Sequence, residues 1–456
     1  MHSGGYILAG IFQRVYRAEA LEETHVLWRR EFLELKRRSG WLLVYGRRKT
    51  GKSFMARLLL PWRLYVTVTR DLSAVVEEPG KKPTVTEIGE AMSRAVELLA
   101  EDGVVVVDEF QRLPERYWDL LATRHPEGRL VLVASSLGVA NRVFDRRSPL
   151  LGLVLPLRVD PLRYADVVSS LLPRLGPRHA LLWGVVLREP WLLPLAPGLE
   201  GEPWRFIAGN AYMLAQMARG LIGEVFEEEE RRLTRLYEAA LRLLAAGVWS
   251  SAKLAGLLYQ RGLLSSPGAG PATGLLDRLS EIGLVAKTRL WRTRGARVYY
   301  RHSSPLLAIV YGLAEIYGVD EHPHRDPELL LDATRSLYAR ELQFTLGELL
   351  AEHHGGLQAY TILPDGQGDV DVVVLDHGGR RAIAAYEVKL GPCSQSDMKT
   401  VLQRAEAIGA RRVGIACLGG IESPPPPGLE ALGPQELAET AIGCVKKAAT
   451  STQHEA

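Results

Sequence analysis

An eight-residue run near the amino terminus constrains this chain more than any other feature. Residues 46–53 read Gly-Arg-Arg-Lys-Thr-Gly-Lys-Ser, the pattern G-x-x-x-x-G-K-S, and they follow the apolar run Trp41–Tyr45. Glycines in such a loop let backbone N–H groups turn toward phosphate oxygens, and a following helix adds the positive end of its dipole. Residues 54–60 form an apolar helical run. The sequence therefore predicts a strand, a phosphate-binding loop and a helix.

The same loop supplies candidate ligands for a nucleotide and its metal ion. Lys52 is expected to neutralise the outer phosphates, and Ser53 is expected to hold Mg²⁺. The residues predicted to surround the phosphates are Gly46, Arg47, Arg48, Lys49, Thr50, Gly51, Lys52, Ser53 and Phe54.

Two adjacent acids end a second strand pattern. Residues 104–107 are four valines, and Asp108 and Glu109 follow them. A β-branched run of this kind is typical of a buried strand, and open α/β sheets bind ligands at the carboxyl ends of their parallel strands. We expect Asp108 to orient Mg²⁺ through its water shell and Glu109 to polarise the attacking water.

A third strand pattern, residues 130–134, ends in Ser135 and Ser136. One of these hydroxyls, with Ser135 as the candidate, is expected to sense the terminal phosphate. Serines at this position also cap the next helix, and the sequence supports both roles equally.

Composition narrows the class of protein. The chain has 456 residues, of which 47% are hydrophobic and 24% charged, which is ordinary for a globular protein of about three domains. No segment is typical of a membrane span or a signal peptide, so we expect a cytoplasmic protein without a membrane partner. Cys393, Cys417 and Cys444 have no metal-site spacing, and we expect them to be buried free thiols.

Basic residues are concentrated in one segment. Residues 235–302 hold eleven Lys or Arg and three acids, a net charge of +8, so that with +3 overall the rest of the chain carries −5. Such a concentration is typical of a surface that binds phosphate backbones.

The basic segment has the pattern of a winged helix. Periodicity and punctuation predict helices at 233–246, 251–260 and 271–282, and strands at 284–287 and 296–300 around a basic loop. The third helix is expected to enter the DNA major groove while the loop touches phosphates. The predicted contacts are Arg278, Arg289, Arg292, Arg294 and Arg297. The alternative is a winged helix that only contacts protein.

A second candidate catalytic group lies near the carboxyl terminus. Residues 368–375 and 382–389 read as a strand hairpin, in which Glu387 and Lys389 share a face and Asp371 is within reach of it. Asp371 and Glu387 are candidate ligands of one Mg²⁺, and Lys389 is a candidate for positioning water against a phosphodiester. This arrangement also needs an acid from a helix, for which both Glu341 and Glu348 are candidates. The alternative is a solvated, salt-bridged strand edge.

These motifs together resemble archaeal P-loop ATPases of the STAND and AAA+-related kind, which join an ATPase core to a winged helix and a C-terminal PD-(D/E)XK-like domain. The resemblance implies ATP as the nucleotide. It also implies an arginine that acts on the phosphates, for which Arg146 or Arg147 is expected, because no Gly-Arg pair follows Pro149-Leu150. The nuclease-like motif has Val370 where the family has its proline.

The resulting expectation is an α/β protein with a P-loop NTPase parallel sheet. The expected domains are the ATPase core at 1–157, a helical lid at 158–232, the winged helix at 233–304, a restriction-endonuclease-like α/β domain at 325–445 and a disordered tail at 446–456. The expected function is an ATP-hydrolysing switch that binds DNA and carries a Mg²⁺-dependent nuclease-like domain. A homo-oligomer is compatible with this function. The alternative is a signalling or scaffold ATPase that contacts only proteins.

Overall fold

A computed structural model describes residues 26–199, 201–229, 234–293, 297–362 and 369–454. The chain divides into two compact units. Within the described ranges, unit 1 contains Arg30–Pro161 and residues 221–229, and unit 2 contains Val26–Arg29, Leu162–Gly220 and the chain from residue 234 onward. None of the described helices combines the length and the apolar character that crossing a membrane requires.

Unit 1 is built on a seven-stranded sheet. Its strands are β1 (Trp41–Tyr45), β2 (Leu64–Val68), β3 (Ser73–Glu77), β4 (Thr84–Glu87), β5 (Val104–Asp108), β6 (Arg129–Ala134) and β7 (Val154–Arg158). Their lateral order is β4-β3-β2-β5-β6-β1-β7. Neighbours among β2, β5, β6, β1 and β7 pair in parallel, whereas β3 pairs antiparallel with both β2 and β4. The predicted parallel α/β sheet is therefore confirmed.

The central strands of this sheet are buried on both faces. β1, β5 and β6 are almost continuously apolar and buried, as expected for parallel strands with both faces covered. The helices of this unit are α1 (Glu31–Arg37), α2 (Lys52–Leu59), α3 (Ile88–Ala100), α4 (Arg116–Arg124) and α5 (Gly138–Val143). Because β6 lies between β1 and β5, the loop after β1, the acids after β5 and Ser135 after β6 meet at one edge of the sheet.

Unit 2 contains most of the helices. They are α6 (Tyr164–Leu171), α7 (Pro177–Val186), α8 (Pro203–Gly209), α9 (Ala211–Glu228), α10 (Arg235–Ala245), α11 (Ser251–Gln260), α12 (Ala269–Glu281), α13 (Pro305–Tyr317), α14 (Leu331–His354), α15 (Gln395–Ile408) and α16 (Pro434–His454). Helix α9 belongs to unit 2 through Gly220 and to unit 1 from Leu221. Helices α10 to α12 match the three helices predicted for the basic segment.

A second seven-stranded sheet lies in unit 2. Its strands are β8 (Val285–Leu290), β9 (Val298–His302), β10 (Leu357–Ile362), β11 (Asp369–Leu375), β12 (Ala382–Lys389), β13 (Arg412–Cys417) and β14 (Leu429–Leu432), in the order β14-β13-β12-β11-β10-β8-β9. The β8–β9 hairpin is the predicted wing, yet β8 pairs in parallel with β10. The expected boundary between a winged helix and a terminal domain therefore crosses a continuous sheet.

Two further expectations are corrected at the carboxyl end. Residues 446–454, expected to be a disordered tail, continue helix α16, and residues 455–456 lie outside the described chain. Cys393 and Cys417 form a disulfide, whereas only Cys444 is a buried free thiol as expected. The sequence could not reveal this pair, because Cys393 and Cys417 become neighbours only when the ends of β12 and β13 align.

Candidate functional site

The loop between β1 and α2 has the geometry that its glycines predict. Gly46 has φ of +152° and lies against the backbone of Val159, where an added Cβ would be 2.1 Å from the carbonyl oxygen. Gly51 has φ of +91° immediately before α2, and an added Cβ there would meet no atom within 4 Å. One glycine thus fits a tight backbone approach, and the other adopts a left-handed conformation beside open space.

Lys52 is folded into this loop. Its side chain is buried, and its Nζ donates to the carbonyl oxygen of Arg47 at 2.8 Å, as does the Thr50 hydroxyl at 2.9 Å. A buried ammonium at the start of a helix, inside a glycine loop, is suited to neutralising phosphate charge.

Asp108 lies at the end of β5 and is held from two sides. Tyr65 on β2 donates its phenolic proton to Oδ2 at 2.7 Å, and the backbone N–H of Glu109 donates to Oδ1 at 2.9 Å. Ser53 and Asp108 both act on the pKa of the Tyr65 phenol, so both side chains lie close to it. Burial and the neighbouring Asp108 raise the pKa of Tyr65 above its usual value, which keeps the phenol protonated as a donor.

Glu109 has an uncommon backbone conformation and several polar partners. Its φ of +57° places it in the left-handed region, which non-glycine residues adopt rarely and often at functional sites. Its carboxylate pairs with Arg112 at 2.9 Å and with Arg48 at 3.8 Å, and it accepts from Gln111 Nε2 at 2.8 Å. The predicted general base is therefore positioned within a network of cations and an amide.

A hydrogen-bond chain connects the Ser135 position to this glutamate. The Ser135 backbone N–H donates to Gln111 Oε1 at 3.2 Å, and the other end of the same amide donates to Glu109. Ser136 takes the capping role, since its Oγ accepts from the N–H of Val139 at 3.2 Å. Gln111 was missed by the sequence reasoning, which considered only ionisable and hydroxyl groups.

The last turns of α9 contact the same edge of unit 1. Glu224 pairs with Arg48 Nε at 2.7 Å. Glu229 accepts from the backbone N–H groups of Leu137, and of Gly138 at 2.8 Å. The end of α9 therefore contacts both the phosphate-binding loop and the segment after Ser135.

Other predicted residues of the site are exposed. Phe54 is 43% exposed on α2, and Lys49 is exposed with φ of +65°. Arg146 and Arg147 are exposed in the turn after α5.

The residues present fit a magnesium-bound nucleoside triphosphate. The fit is carried by the glycine loop with open space at Gly51, the buried Lys52 ammonium, and the Ser53 hydroxyl and Asp108 carboxylate, which both lie close to the Tyr65 phenol. Hydroxyl and carboxylate oxygens are the ligand types that Mg²⁺ prefers.

The second constellation lies in unit 2, at the start of β11 and the end of β12. Val372 pairs with Tyr386, which places Asp371 opposite Glu387 on the neighbouring strand. Lys389 Nζ lies 3.3 Å from Glu387 Oε1 and 3.9 Å from Asp397. Asp371, Glu387 and Lys389 are therefore brought together, as the alternation along the hairpin predicted.

Both carboxylates of this group already have protein partners. Asp371 accepts from the side-chain amide of Gln343 and from the N–H of Val388 at 2.8 Å. Glu387 also lies 3.5 Å from Arg404. Burial, and next the nearby Glu387, raise the pKa of Asp371. Within the described residues, no group of three or more His, Cys, Asp or Glu could hold a metal ion.

Glu348, one of the two candidate helix acids, does not join this group. Burial alone would raise its pKa, but Arg188 and Arg301, each 2.8 Å from its carboxylate, hold the pKa below its usual value. Glu341 is buried beside Arg340, and burial raises its pKa. The α14 side chain that reaches Asp371 is the neutral Gln343, which sequence periodicity could not identify because it depends on how α14 lies on β11.

Acids outside the basic segment neutralise part of its charge. Arg242 pairs with Asp320, Arg261 with Glu315, and Arg301 with Glu348. Lys287 on β8 pairs with Asp277 on α12 at 2.6 Å. Arg278, Arg289, Arg292 and Arg297 have no ion pair with a described residue, and Arg294 lies outside the described residues.

No described protein family matches this sequence, and no curated protein matches it. Three solved structures with which it shares similarity are archaeal. The Orc1 protein of Aeropyrum pernix in complex with DNA is 18% identical, with 65% of this chain and 95% of that chain covered and a TM-score of 0.30. The Orc2 protein of Aeropyrum pernix, in its ADPNP-ADP complexes, is 14% identical, with 66% and 88% covered and a TM-score of 0.34. Cdc6p from Pyrobaculum aerophilum is 14% identical, with 72% and 98% covered and a TM-score of 0.27. These scores are too low to establish a shared arrangement of the whole chain, so the site is interpreted from its own residues.

Proposed function

We propose that unit 1 binds ATP with Mg²⁺ and hydrolyses it. The observation that carries the proposal is the meeting of Lys52, Asp108 and Glu109 at one edge of a parallel sheet, at the ends of strands separated only by β6. Bound Mg²⁺ would neutralise charge that develops on the phosphoryl oxygens.

Each residue has a distinct task in this reaction. Lys52 neutralises the outer phosphates at the start of α2, and Ser53 and Asp108 are the residues that would hold the metal. Glu109 orients the attacking water and accepts its proton. Gln111 fixes the Glu109 carboxylate and connects it to the Ser135 backbone, so that the strand end beside the phosphates and the base move together.

Two substitutions separate binding from hydrolysis. Lys52→Ala is expected to lose ATP binding and turnover, and Glu109→Gln to retain binding while turnover falls by about 10² to 10⁴. Lys82→Ala is the matched control, because Lys82 is exposed in unit 1 without a described ion pair. Binding is measured with a fluorescent ATP analogue and turnover by phosphate release. Normal hydrolysis by Lys52→Ala would refute the proposal.

We also propose that unit 2 associates with DNA. The support is the set of exposed arginines that remain without an ion pair in the basic segment. DNA binding through several phosphates should weaken steeply with salt, with a log-log slope near −0.9 per contact. A protein without binding at low salt would instead fit the scaffold ATPase.

A second candidate activity is metal-dependent DNA cleavage by Asp371, Glu387 and Lys389. Their convergence on one strand pair favours it. The test is cleavage of plasmid and branched DNA with Mg²⁺ or Mn²⁺, with and without ATP, beside Asp371→Ala and Lys389→Ala. Cleavage that both substitutions abolish would support the activity. Its absence under all conditions, with ATP hydrolysis intact, would assign the group a structural role.

A further inference from the structure

We infer that the DNA-binding surface of unit 2 lies at one end of its sheet rather than on helix α12. The inference rests on the proposed association with DNA. We call this surface the arginine edge, and its members are Arg289, Arg292, Arg380, Arg381, Arg411 and Arg412.

Two contacts connect the wing hairpin to the rest of this surface. The Arg289 guanidinium lies against the turn that joins β11 to β12, where an added Cβ on Gly379 would be 2.1 Å from Arg289 Nη1. Arg380 and Arg381 follow in that turn. Arg292 donates from Nη1 to the carbonyl oxygen of Ile408 at 3.0 Å, just before Arg411.

Strand register brings the remaining arginines to the same end of the sheet. Ala384, three residues after Arg381, pairs with Arg412 at the start of the parallel strand β13. The β11–β12 turn and the start of β13 are therefore neighbours. Residues from three separate parts of the sequence thus form one surface, which no single sequence window reveals.

The arginine edge carries more positive charge than the nearby acids neutralise. All six side chains are exposed, and none forms an ion pair with a described residue. The nearest acid in the turn, Asp376, uses Oδ1 to accept the backbone N–H groups of Arg380 and Arg381, which lower its pKa. Glu430 and Arg412 have opposite effects on the pKa of His354, which Glu430 raises and Arg412 lowers. Six exposed guanidinium groups spread over strand ends suit the repeated phosphates of a nucleic-acid duplex better than a small anion, which needs donors that converge.

Helix α12 offers few side chains for reading bases. The exposed residues of its first turn are Ala269, Gly270 and Pro271. Its Asp277 is paired with Lys287. Arg278 is its one basic residue. Contacts from the arginine edge would go to phosphates, so binding should show little sequence preference.

The β11–β12 turn, which carries Arg380 and Arg381, is distant from the Asp371 group. Asp371 lies near the start of β11 and the turn begins at Asp376, five residues further along. At about 3.3 Å per residue, Asp371 and the start of the turn at Asp376 are about 17 Å apart. Loss of the Asp371 carboxylate should therefore leave duplex binding unchanged.

The experiment measures anisotropy of a fluorescent DNA duplex of arbitrary sequence, about 25 bp long, with the full-length chain between about 50 and 200 mM salt. Arg380→Glu with Arg381→Glu is expected to weaken binding at least tenfold and to reduce the log-log salt slope by about 1.8. The same pair changed to Lys should retain the slope. Arg205→Glu with Arg325→Glu, at two exposed arginines of unit 2 without a described ion pair, is the charge-matched control.

The outcomes separate this surface from the broader proposal. If Arg278→Glu weakens binding and the double substitution does not, the arginine edge is wrong while the association with DNA stands. If the unaltered protein binds no duplex at the lowest salt, both proposals fall. Duplex RNA should bind comparably, because the contacts are to phosphates. Preference for vesicles of anionic phospholipid over either duplex would overturn the inference. Circular dichroism and ATP hydrolysis check that each variant is folded.

Discussion

Gly46 offers a direct test of how the phosphate-binding loop is fixed in place. An alanine Cβ at this position would lie 2.1 Å from the Val159 carbonyl oxygen and 2.9 Å from its carbon. The Val159 N–H donates to Tyr45 at 2.8 Å, so the two segments cannot separate without losing that bond. Relief of the clash requires a backbone shift of roughly 1 Å. Overpacking of this kind costs about 1 to 3 kcal/mol.

We expect Gly46→Ala to lower both stability and turnover. For a unit of this size, each kcal/mol lowers the Tm by about 2 to 4 °C, so the decrease should be about 2 to 12 °C. A displacement of about 1 Å in a positioning loop can reduce turnover by about 10²-fold. Differential scanning fluorimetry and phosphate release measure the two effects.

Gly40→Ala is the matched control for this substitution. Gly40 also has positive φ, +80°, but an added Cβ there meets no atom within 4 Å. Its cost should therefore be limited to that of a left-handed residue, about 1 to 2 kcal/mol, with turnover retained. Gly46→Ala with the melting temperature and turnover of the unaltered protein would refute the account of the loop.

Three further experiments test other parts of the structure. Tyr65→Phe removes the phenolic donor to Asp108, worth about 1.5 to 3 kcal/mol, and should raise the Mg²⁺ concentration needed for half-maximal ATP hydrolysis; an unchanged Mg²⁺ titration would contradict this. Glu348→Ala leaves two arginines without their shared carboxylate and should destabilise unit 2 by about 2 to 4 kcal/mol, more than Glu348→Gln in urea unfolding; equal midpoints would contradict this. Thiol titration of the denatured, non-reduced protein should find one thiol, Cys444. Reduction of the Cys393–Cys417 disulfide should raise the number to three, and three thiols without reductant would exclude the disulfide.

The sequence was sufficient for features encoded within a few residues. The phosphate-binding loop, the acids after β5 and the serines after β6 each follow an apolar strand, and parallel strands align their carboxyl ends. The position of each of these residues at the sheet edge could therefore be predicted. The same holds for the convergence of Asp371 with Glu387, which requires only hairpin alternation.

Contacts that depend on lateral packing could not be predicted. Glu341 and Glu348 are seven residues apart on one helix face, so periodicity gives them equal standing. Glu348 is held away from the Asp371 group by its ion pairs with Arg188 and Arg301, which come from distant parts of the chain. The pairing of Tyr65 with Asp108 likewise depends on β2 lying beside β5, which no local pattern specifies.

The shared sheet of unit 2 has a consequence for how the chain is synthesised. Leu290 on β8 pairs with Tyr360 on β10, seventy residues later. At about 5 to 20 residues per second, a ribosome needs about 4 to 14 s to make the intervening chain. Throughout that interval β8 presents an unpaired edge to any other nascent strand. Contacts of such high sequence separation also slow folding. An edge left unpaired for this time favours association with other strands unless another part of the chain covers it.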